Sequence, residues 1–157
     1  LYGDGDEITF VADHPCIGTA YYLEGQEYEN SLKKALEFHI KGFELRNRIL
    51  PQTDVAIRES LEAIVEIYQK EMKLSEALPY YKKMVDCLTA DFGAQAIEVG
   101  EYLAKIAPIL QQHGQLDTAL DWLNQAIEIM EGELGSKDPL TKQTIRQRIR
   151  LRDAIRR

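Results

Sequence analysis

The stretch GQLDTALDWLNQAIEIMEGELGSKDP, residues 114–139, decides the fold. Gly114 ends one helix and Asp117 starts another, and Asp138-Pro139 supplies an N-cap followed by a proline at the first helical position. Its Ala119-Leu120 pair has two earlier counterparts, Ala35-Leu36 and Ala77-Leu78, each 42 residues before the next. Leu50-Pro51, Phe92-Gly93 and Leu134-Gly135 recur at the same interval, as do Gly42, Met84 and Ala126, and Phe43, Val85 and Ile127. Three copies of one unit therefore fill the chain.

Each copy reads as two helices, because apolar residues fall at i, i+3, i+4 and i+7 and no period-2 alternation is sustained. In the middle copy Leu61, Ile64, Val65 and Tyr68 line one helix and Leu78, Tyr81, Val85 and Leu88 the next. Thr53 or Asp54 is placed to cap the first of these and Ser75 the second, with Pro79 in the second helix's first turn. The spacing predicts helices over 14–28, 30–49, 54–71, 75–91, 94–113, 117–134 and 139–156. Small residues at 35, 77 and 119 let the two helices of a hairpin approach closely. A two-helix unit cannot bury both faces alone, so stacked units sharing one core are expected, an all-α, right-handed superhelical solenoid. The last segment is expected to close it as a capping helix, with Ile145, Ile149 and Ile155 as an apolar stripe and Arg146, Arg148, Arg150, Arg152, Arg156 and Arg157 outside it. The organisation predicted is an entry segment over 1–13, repeats over about 14–53, 54–95 and 96–138, and a basic amphipathic cap over 139–157.

These residues resemble the tetratricopeptide repeats (TPR), and in spacing the 42-residue variety of kinesin light chains. The third copy carries the likeness best, from Gly114 through Ala119, Ala126-Ile127, Leu134-Gly135 and Asp138-Pro139. The middle copy, with Glu76-Ala77-Leu78-Pro79-Tyr80-Tyr81-Lys82-Lys83, is similar but has Met72 for the glycine and Met84 for the second alanine. The first keeps His14-Pro15 and Ala35, with Asn30 and Gly42 at those two places. The resemblance covers about residues 14–140 and implies a TPR-like solenoid that binds proteins. Asparagines that the family places mid-way along its first helices are replaced by Glu62, Ala63, Ala104 and Lys105, and the basic clamp that some members use for chaperone C-termini lacks its pattern.

With 157 residues, 45% of them hydrophobic and 29% charged, the chain is sized for one ordinary domain with a core, which excludes wholesale disorder. Its net charge of −7 divides unevenly. From 137 to 157 eight basic residues face two acidic ones, net +6, which leaves −13 over residues 1–136. A broad nucleic-acid or anionic-membrane surface is therefore not expected over the body of the chain. Cys16 and Cys87 lie far apart with no CxxC, so neither a zinc site nor a disulfide framework is indicated. There is no apolar run of about 18 residues and no signal-peptide pattern, pointing to a cytoplasmic protein without membrane insertion. Leu1 in place of Met suggests a piece of a longer chain.

Nothing in the chain assembles a catalytic constellation. His14, His39 and His113 do not converge and each has a packing or helix-end role, and no HExxH, GxSxG, P-loop or GxGxxG occurs. Asp4-Gly5-Asp6-Glu7 would need Glu at the twelfth position for an EF-hand, and Pro15 stands there; it reads as a polar entry followed by an apolar anchor, Ile8, Phe10 and Val11. No enzyme activity, cofactor or metal is expected.

The candidate binding surface is the concave face formed by the first helix of each repeat. In the family's register the first copy offers Ile17, Ala20, Tyr21, Glu24, Glu27 and Tyr28, and the second Glu59, Glu62, Ala63, Glu66, Gln69 and Lys70. The third offers Glu101, Ala104, Lys105, Pro108, Gln111 and Gln112, with Pro108 expected to kink its helix. Tyr21, Glu24, Glu59, Glu62, Glu66, Glu101 and Lys105 are the partner-binding candidates, an acidic wall suited to a basic or amphipathic peptide. Arg146 and Arg150 are candidate basic contacts, through which the cap could plug an acidic groove of the same or a neighbouring molecule; contact with nucleic acid is a weaker reading. The expected function is a non-catalytic protein-interaction module within a longer scaffold or adaptor, with a regulatory or substrate-docking domain of a larger enzyme or motor as the alternative. The first copy, with Gly18, Gly25 and Gly42, should be the least stable.

Overall fold

The computed structural model describes residues 19, 21–24 and 31–156. Among these, residues 19 and 21–24 are helical, and six further helices follow with no strand: α1 (Leu32–Ile49), α2 (Val55–Lys70), α3 (Leu74–Phe92), α4 (Ile97–Gln112), α5 (Leu116–Glu133) and α6 (Pro139–Ile155). Every bound from α1 onward lies within three residues of its expected place. The entry segment 1–13, His14-Pro15, Cys16, Ile17, Gly18, Ala20, Gly25, Glu27, Tyr28, Asn30 and Arg157 lie outside the described residues.

Capping chemistry sets the helix starts. The Ala56 amide donates to Asp54 Oδ1 and the Leu140 amide to Asp138 Oδ1, both at 2.8 Å; each such cap contributes about 1 kcal/mol. Ser75 does not cap α3, which begins one residue earlier, so Pro79 falls in the second turn and offers no N–H to the Ser75 carbonyl. Pro108 likewise lies inside α4, which continues through it. The α2–α3 and α4–α5 turns need one left-handed residue each, supplied by Met72 (φ 58°) and, 42 residues on, by Gly114 (φ 77°). A side chain at that φ is strained, so the departure from glycine at Met72 costs about 1 kcal/mol.

The chain divides into two compact units, Leu1–Met84 and Val85–Arg157, the division falling within α3. In the first unit α1 packs on α2, with Ala35 and Ala77 buried as the close-approach rule requires. Leu61 and Ile64 are completely enclosed, and Phe43, Tyr68 and Tyr80 form an aromatic cluster with centroids 5.8–6.0 Å apart along the Tyr68–Tyr80 and Phe43–Tyr80 pairs. Gln69 Nε2 donates to Tyr81 Oη at 2.6 Å. His39 is buried edge-on to Tyr22 at 5.2 Å, the packing role its position implied.

Arg46 is the first unit's unexpected core residue. Only 2% exposed, it donates through Nη1 to the Ala56 carbonyl and Ser60 Oγ, both at 2.8 Å, and through Nη2 to Thr19 Oγ1 at 3.3 Å. Glu59 Oε2 stands 3.9 Å away and the Tyr22 ring lies 4.7 Å beneath the guanidinium carbon. Burial lowers the Arg46 pKa, while Glu59, Tyr22 and Asp54 oppose that shift. The guanidinium remains charged at neutral pH.

In the second unit α5 packs on both α4 and α6. Ala119 and Ala126 are fully buried, and so are Leu110, Leu123 and Met130 to within 2%; burying each of the larger three contributes about 1.5–3 kcal/mol. Gly100 marks a second close approach, since a Cβ there would stand 3.1 Å from Ile129 Cγ2. The face that α6 buries is not the isoleucine stripe. Thr141, Thr144 and Leu151 are enclosed, whereas Ile149 is 49% and Ile155 41% exposed. The hydroxyl of Thr144 reaches Met130 Sδ at 3.3 Å and the Leu140 carbonyl at 3.0 Å, and Arg148 Nη1 reaches Asn124 Oδ1 at 3.4 Å, so polar groups that find partners on α5 fix the helix's rotation.

Candidate functional site

The 42-residue register places the functional side chains. Ile57, Val99 and Thr141 open α2, α4 and α6 at that interval and all three are buried, so α6 stands in the register of a repeat's first helix. Two positions later come Glu59, Glu101 and Gln143, and four positions after those Ala63, Lys105 and Gln147.

In the second unit α4 and α6 enclose a groove of about 260 Å³ lined by Glu101, Ala104, Lys105, Met130, Leu140, Gln143, Thr144 and Gln147. Met130 and Leu140 give it an apolar surface, Glu101 and Lys105 stand exposed on its α4 wall, and two carboxamides face them from α6. Gln147 Oε1 is shielded from solvent and has no hydrogen-bond partner among the described residues. Pro108, lacking an N–H, leaves the carbonyl of Ala104 without its i+4 donor.

Of the expected groove residues, Glu101 and Lys105 are thus brought together. Ala104 lines the groove from an otherwise buried position, with 9% exposure. On α2, Ala63 has the same 9% exposure, and Gln69 Nε2 donates to Tyr81 Oη. Glu59, Glu62 and Glu66 are exposed on α2. Their field is reduced, because Glu59 leans on Arg46 and Glu66 Oε1 pairs with Lys70 Nζ at 3.1 Å. Tyr21 stacks on Phe38 with centroids 6.3 Å apart, and Glu24 is exposed. Arg146 and Arg150 are exposed on α6 and line no part of the groove.

The groove residues that sequence reasoning missed are Met130, Leu140, Gln143, Thr144 and Gln147. Reading α6 only as a lid hid them, although the 42-residue step from Glu101 to Gln143 and from Lys105 to Gln147 was there to be counted. Among the described residues no group of three or more His, Cys, Asp or Glu side chains could hold a metal ion, and no helix is long and apolar enough to cross a membrane.

Comparison with known proteins agrees with this architecture. Residues 57–132 match the family model described as tetratricopeptide repeat. Among solved structures, BtubC (BKLC) from P. vanneervenii is similar over 90% of this chain and 58% of its own, at 18% identity and a TM-score of 0.66. A Podosopora anserina protein of kinesin-light-chain type with nearly identical TPR-like repeats is similar over 88% of this chain and 66% of its own, at 17% identity and a TM-score of 0.58. A point variant of that protein gives 16% identity and 0.60 over the same shares. The chain thus spans less than two thirds of the length of each, and at these identities the likeness is one of fold. A comparison with curated proteins gives no significant match.

Proposed function

From the premise that residues 57–132 are tetratricopeptide repeats, helical units that generally serve to bind other proteins, we propose that this chain is a non-catalytic module that holds an extended peptide in the groove between α4 and α6. The observation that carries this reading is the groove's lining: an apolar base, one carboxylate, one ammonium group and two facing carboxamides, with Gln147 Oε1 lacking a partner inside. A peptide amide supplies that donor, and its side chains at alternate positions meet Leu140, over the buried Met130, on one side and Glu101 on the other.

The preferred peptide is amphipathic and basic, because Glu101 offers a carboxylate on the groove wall and a lysine or arginine near it keeps both charges paired. Within a longer protein such a module acts as a scaffold or adaptor arm of the cytoplasm. The test is a peptide array probed with the wild-type chain, a Glu101→Gln/Gln143→Ala variant, and a Glu59→Gln/Glu62→Gln/Glu66→Gln variant. Basic peptides should lose about tenfold in affinity, 1.4 kcal/mol, on the first variant and less on the second, whose carboxylates are already partly paired. Equal binding by all three proteins would refute the groove.

A further inference from the structure

A peptide laid between α4 and α6 meets more than the carboxylate of Glu101. Two short reversals, at Gly114 and Gly135, return α6 to the direction of α4. The 42-residue step then sets Gln143 level with Glu101 and Gln147 level with Lys105 across the groove. Arg150 follows Gln143 by seven residues and Gln147 by three, so it stands on the same side of α6, one turn beyond the groove. Glu101 and Lys105 have the spacing and order that pair Glu37 with Lys41 at 2.9 Å and Glu66 with Lys70 at 3.1 Å, yet they form no ion pair with each other. Arg150 has no ion pair either among the described residues. Along this face one unpaired anion is therefore followed by two unpaired cations. The face is open through its place in the repeat. α4 has α5 packed on it and shares the groove with α6, and still keeps Glu101 and Lys105 exposed. Arg150 occupies the place of Pro108 on α4, half-buried between those neighbours, and of Glu66 on α2, whose side chain is 64% exposed. Further helices stacked on α6 would cover Ile145 and Ile149, which stand where α4 buries Leu103 and Ala107, and would leave Arg150 within reach of the groove.

Resting on the groove between α4 and α6 as the peptide site, we infer that the peptide it selects is bipolar. One lysine or arginine meets Glu101, and two or three residues away an aspartate or glutamate is held by Lys105 and Arg150. Charge decides this. A wholly basic peptide gains one pair at Glu101 and then runs into two cations, and facing like charges are what an interface rejects. The spacing follows from the rise of the two structures. Lys105 lies four residues past Glu101 on the same wall, about 6 Å along the helix. An extended chain covers that distance in about two residues, and side chains two apart point the same way. Arg150 lies seven residues past the level of Glu101, on the opposite wall, about 10 Å along the helix. An extended chain covers this in about three residues, and side chains three apart point to opposite walls. Both cations are long and flexible, so one carboxylate at either spacing is within reach of the pair.

The probes are fluorescent synthetic peptides of one extended amphipathic frame, with a lysine and a glutamate three residues apart in either order, and the same peptides with that glutamate replaced by glutamine or by lysine. They are titrated with the full chain and followed by anisotropy. In at least one order the Lys/Glu peptide should bind wild type about fivefold more tightly than its glutamine counterpart, a modest factor because the pairs are exposed, and more tightly still than the all-lysine peptide. Raising salt from about 0.05 to about 0.3 M should narrow the difference. Lys105→Gln/Arg150→Gln should bind the glutamate and glutamine peptides within about twofold of each other, since only the exposed pairs distinguish them. Lys105→Glu/Arg150→Glu should reverse the preference and favour the all-lysine peptide. Both positions are exposed, and thermal melts read by Trp122 fluorescence should show the variants folded; the glutamine variant carries the test if the glutamate one melts early. Equal binding of the glutamate and glutamine peptides by wild type, with Glu101→Gln still weakening both, overturns the bipolar motif and keeps the groove. A glutamate preference that survives in Lys105→Gln/Arg150→Gln also overturns it, because the carboxylate then binds elsewhere. Failure of every peptide to bind, or indifference of all of them to Glu101→Gln, overturns the groove and the motif together.

Discussion

Arg46 and Met130 stand two repeat lengths apart, one in each unit, and both are buried, yet one is the most polar side chain available and the other a thioether. Their surroundings run in parallel. Fourteen residues after each comes a buried hydroxyl, Ser60 or Thr144, which back-bonds to the carbonyl four residues earlier, that of Ala56 at 3.1 Å or of Leu140 at 3.0 Å. Arg46 Nη1 meets its hydroxyl at 2.8 Å and Met130 Sδ meets its own at 3.3 Å. The difference lies in the next layer. Around Arg46 stand Glu59, Tyr22 and Thr19, which pair a buried cation whose Nε alone lacks a hydrogen-bond partner among the described residues; around Met130 the place of Glu59 is taken by Gln143, in a groove wall. One backbone arrangement therefore accepts either chemistry, provided that the second layer matches.

Exchanging the first layer without the second gives the largest effect. Met130→Arg puts a cation where Gln143 stands in the place of Glu59 and the groove's carboxylate, Glu101, is exposed on the α4 wall, and unfolding should become easier by on the order of 3–5 kcal/mol. The chain's single tryptophan, Trp122, is buried in α5, so its fluorescence during denaturant unfolding reports this unit directly. A loss below about 1 kcal/mol would mean that the groove hydrates the arginine and that the parallel fails. Next comes Arg46→Ala, which removes the guanidinium and leaves a cavity beneath Tyr22. We expect a loss of about 3 kcal/mol, at the lower end for a broken buried pair because Glu59 is half-exposed and can turn to water. Hydrogen exchange in α1 and α2 should show it, while Trp122 fluorescence changes little.

This contrast also marks what the sequence could disclose. Helix limits were legible because they rest on local chemistry: the carboxylates of Asp54 and Asp138, the left-handed Gly114 and the first-turn Pro139. The small residues at 35, 77 and 119 were legible because the interval repeats them, and all three are buried. Arg46 was not, since nothing local distinguishes a buried arginine from the exposed Arg48 two residues on. Nor was the packing face of α6. Hydropathy selects Ile145, Ile149 and Ile155, but Thr141, Thr144 and Leu151 are inside; the Thr144 hydroxyl reaches Met130 Sδ on α5, whereas Thr141 Oγ1 is buried without a hydrogen-bond partner among the described residues. Half of the groove went unseen for the same reason, although counting 42 from Glu101 reaches Gln143.

Ser60→Ala probes the link between the layers. It removes one acceptor from a buried cation while leaving the Ala56 carbonyl in place, and should cost about 1.5–2 kcal/mol, the range for a hydrogen bond to a charged group. Its counterpart Thr144→Val should cost less than about 1 kcal/mol, since the sulfur of Met130 is a weak acceptor that loses little when the hydroxyl goes. Thermal melts of the two variants, read by tyrosine and tryptophan signals respectively, would rank them. A reversed order would show that the parallel geometry does not carry parallel energies.

The smallest effect expected is that of Arg46→Met, which carries the second unit's solution into the first. Methionine has a comparable length and fills the space below Tyr22 without a charge to satisfy. Ser60 keeps its bond to the Ala56 carbonyl, as Thr144 keeps its bond to that of Leu140, and Glu59 is exposed enough to be solvated. The lost hydrogen bonds and the removed desolvation cost then nearly offset one another, so stability should change by less than about 1 kcal/mol in either direction. Because Glu59 no longer leans inward, its carboxylate joins those of Glu62 and Glu66 at full strength. The same variant should therefore bind basic peptides on the α2 face more tightly than wild type, with a steeper salt dependence. Unchanged peptide binding would show that Arg46 does not restrain Glu59. A stability loss near that of Arg46→Ala would show that the first unit requires the cation itself.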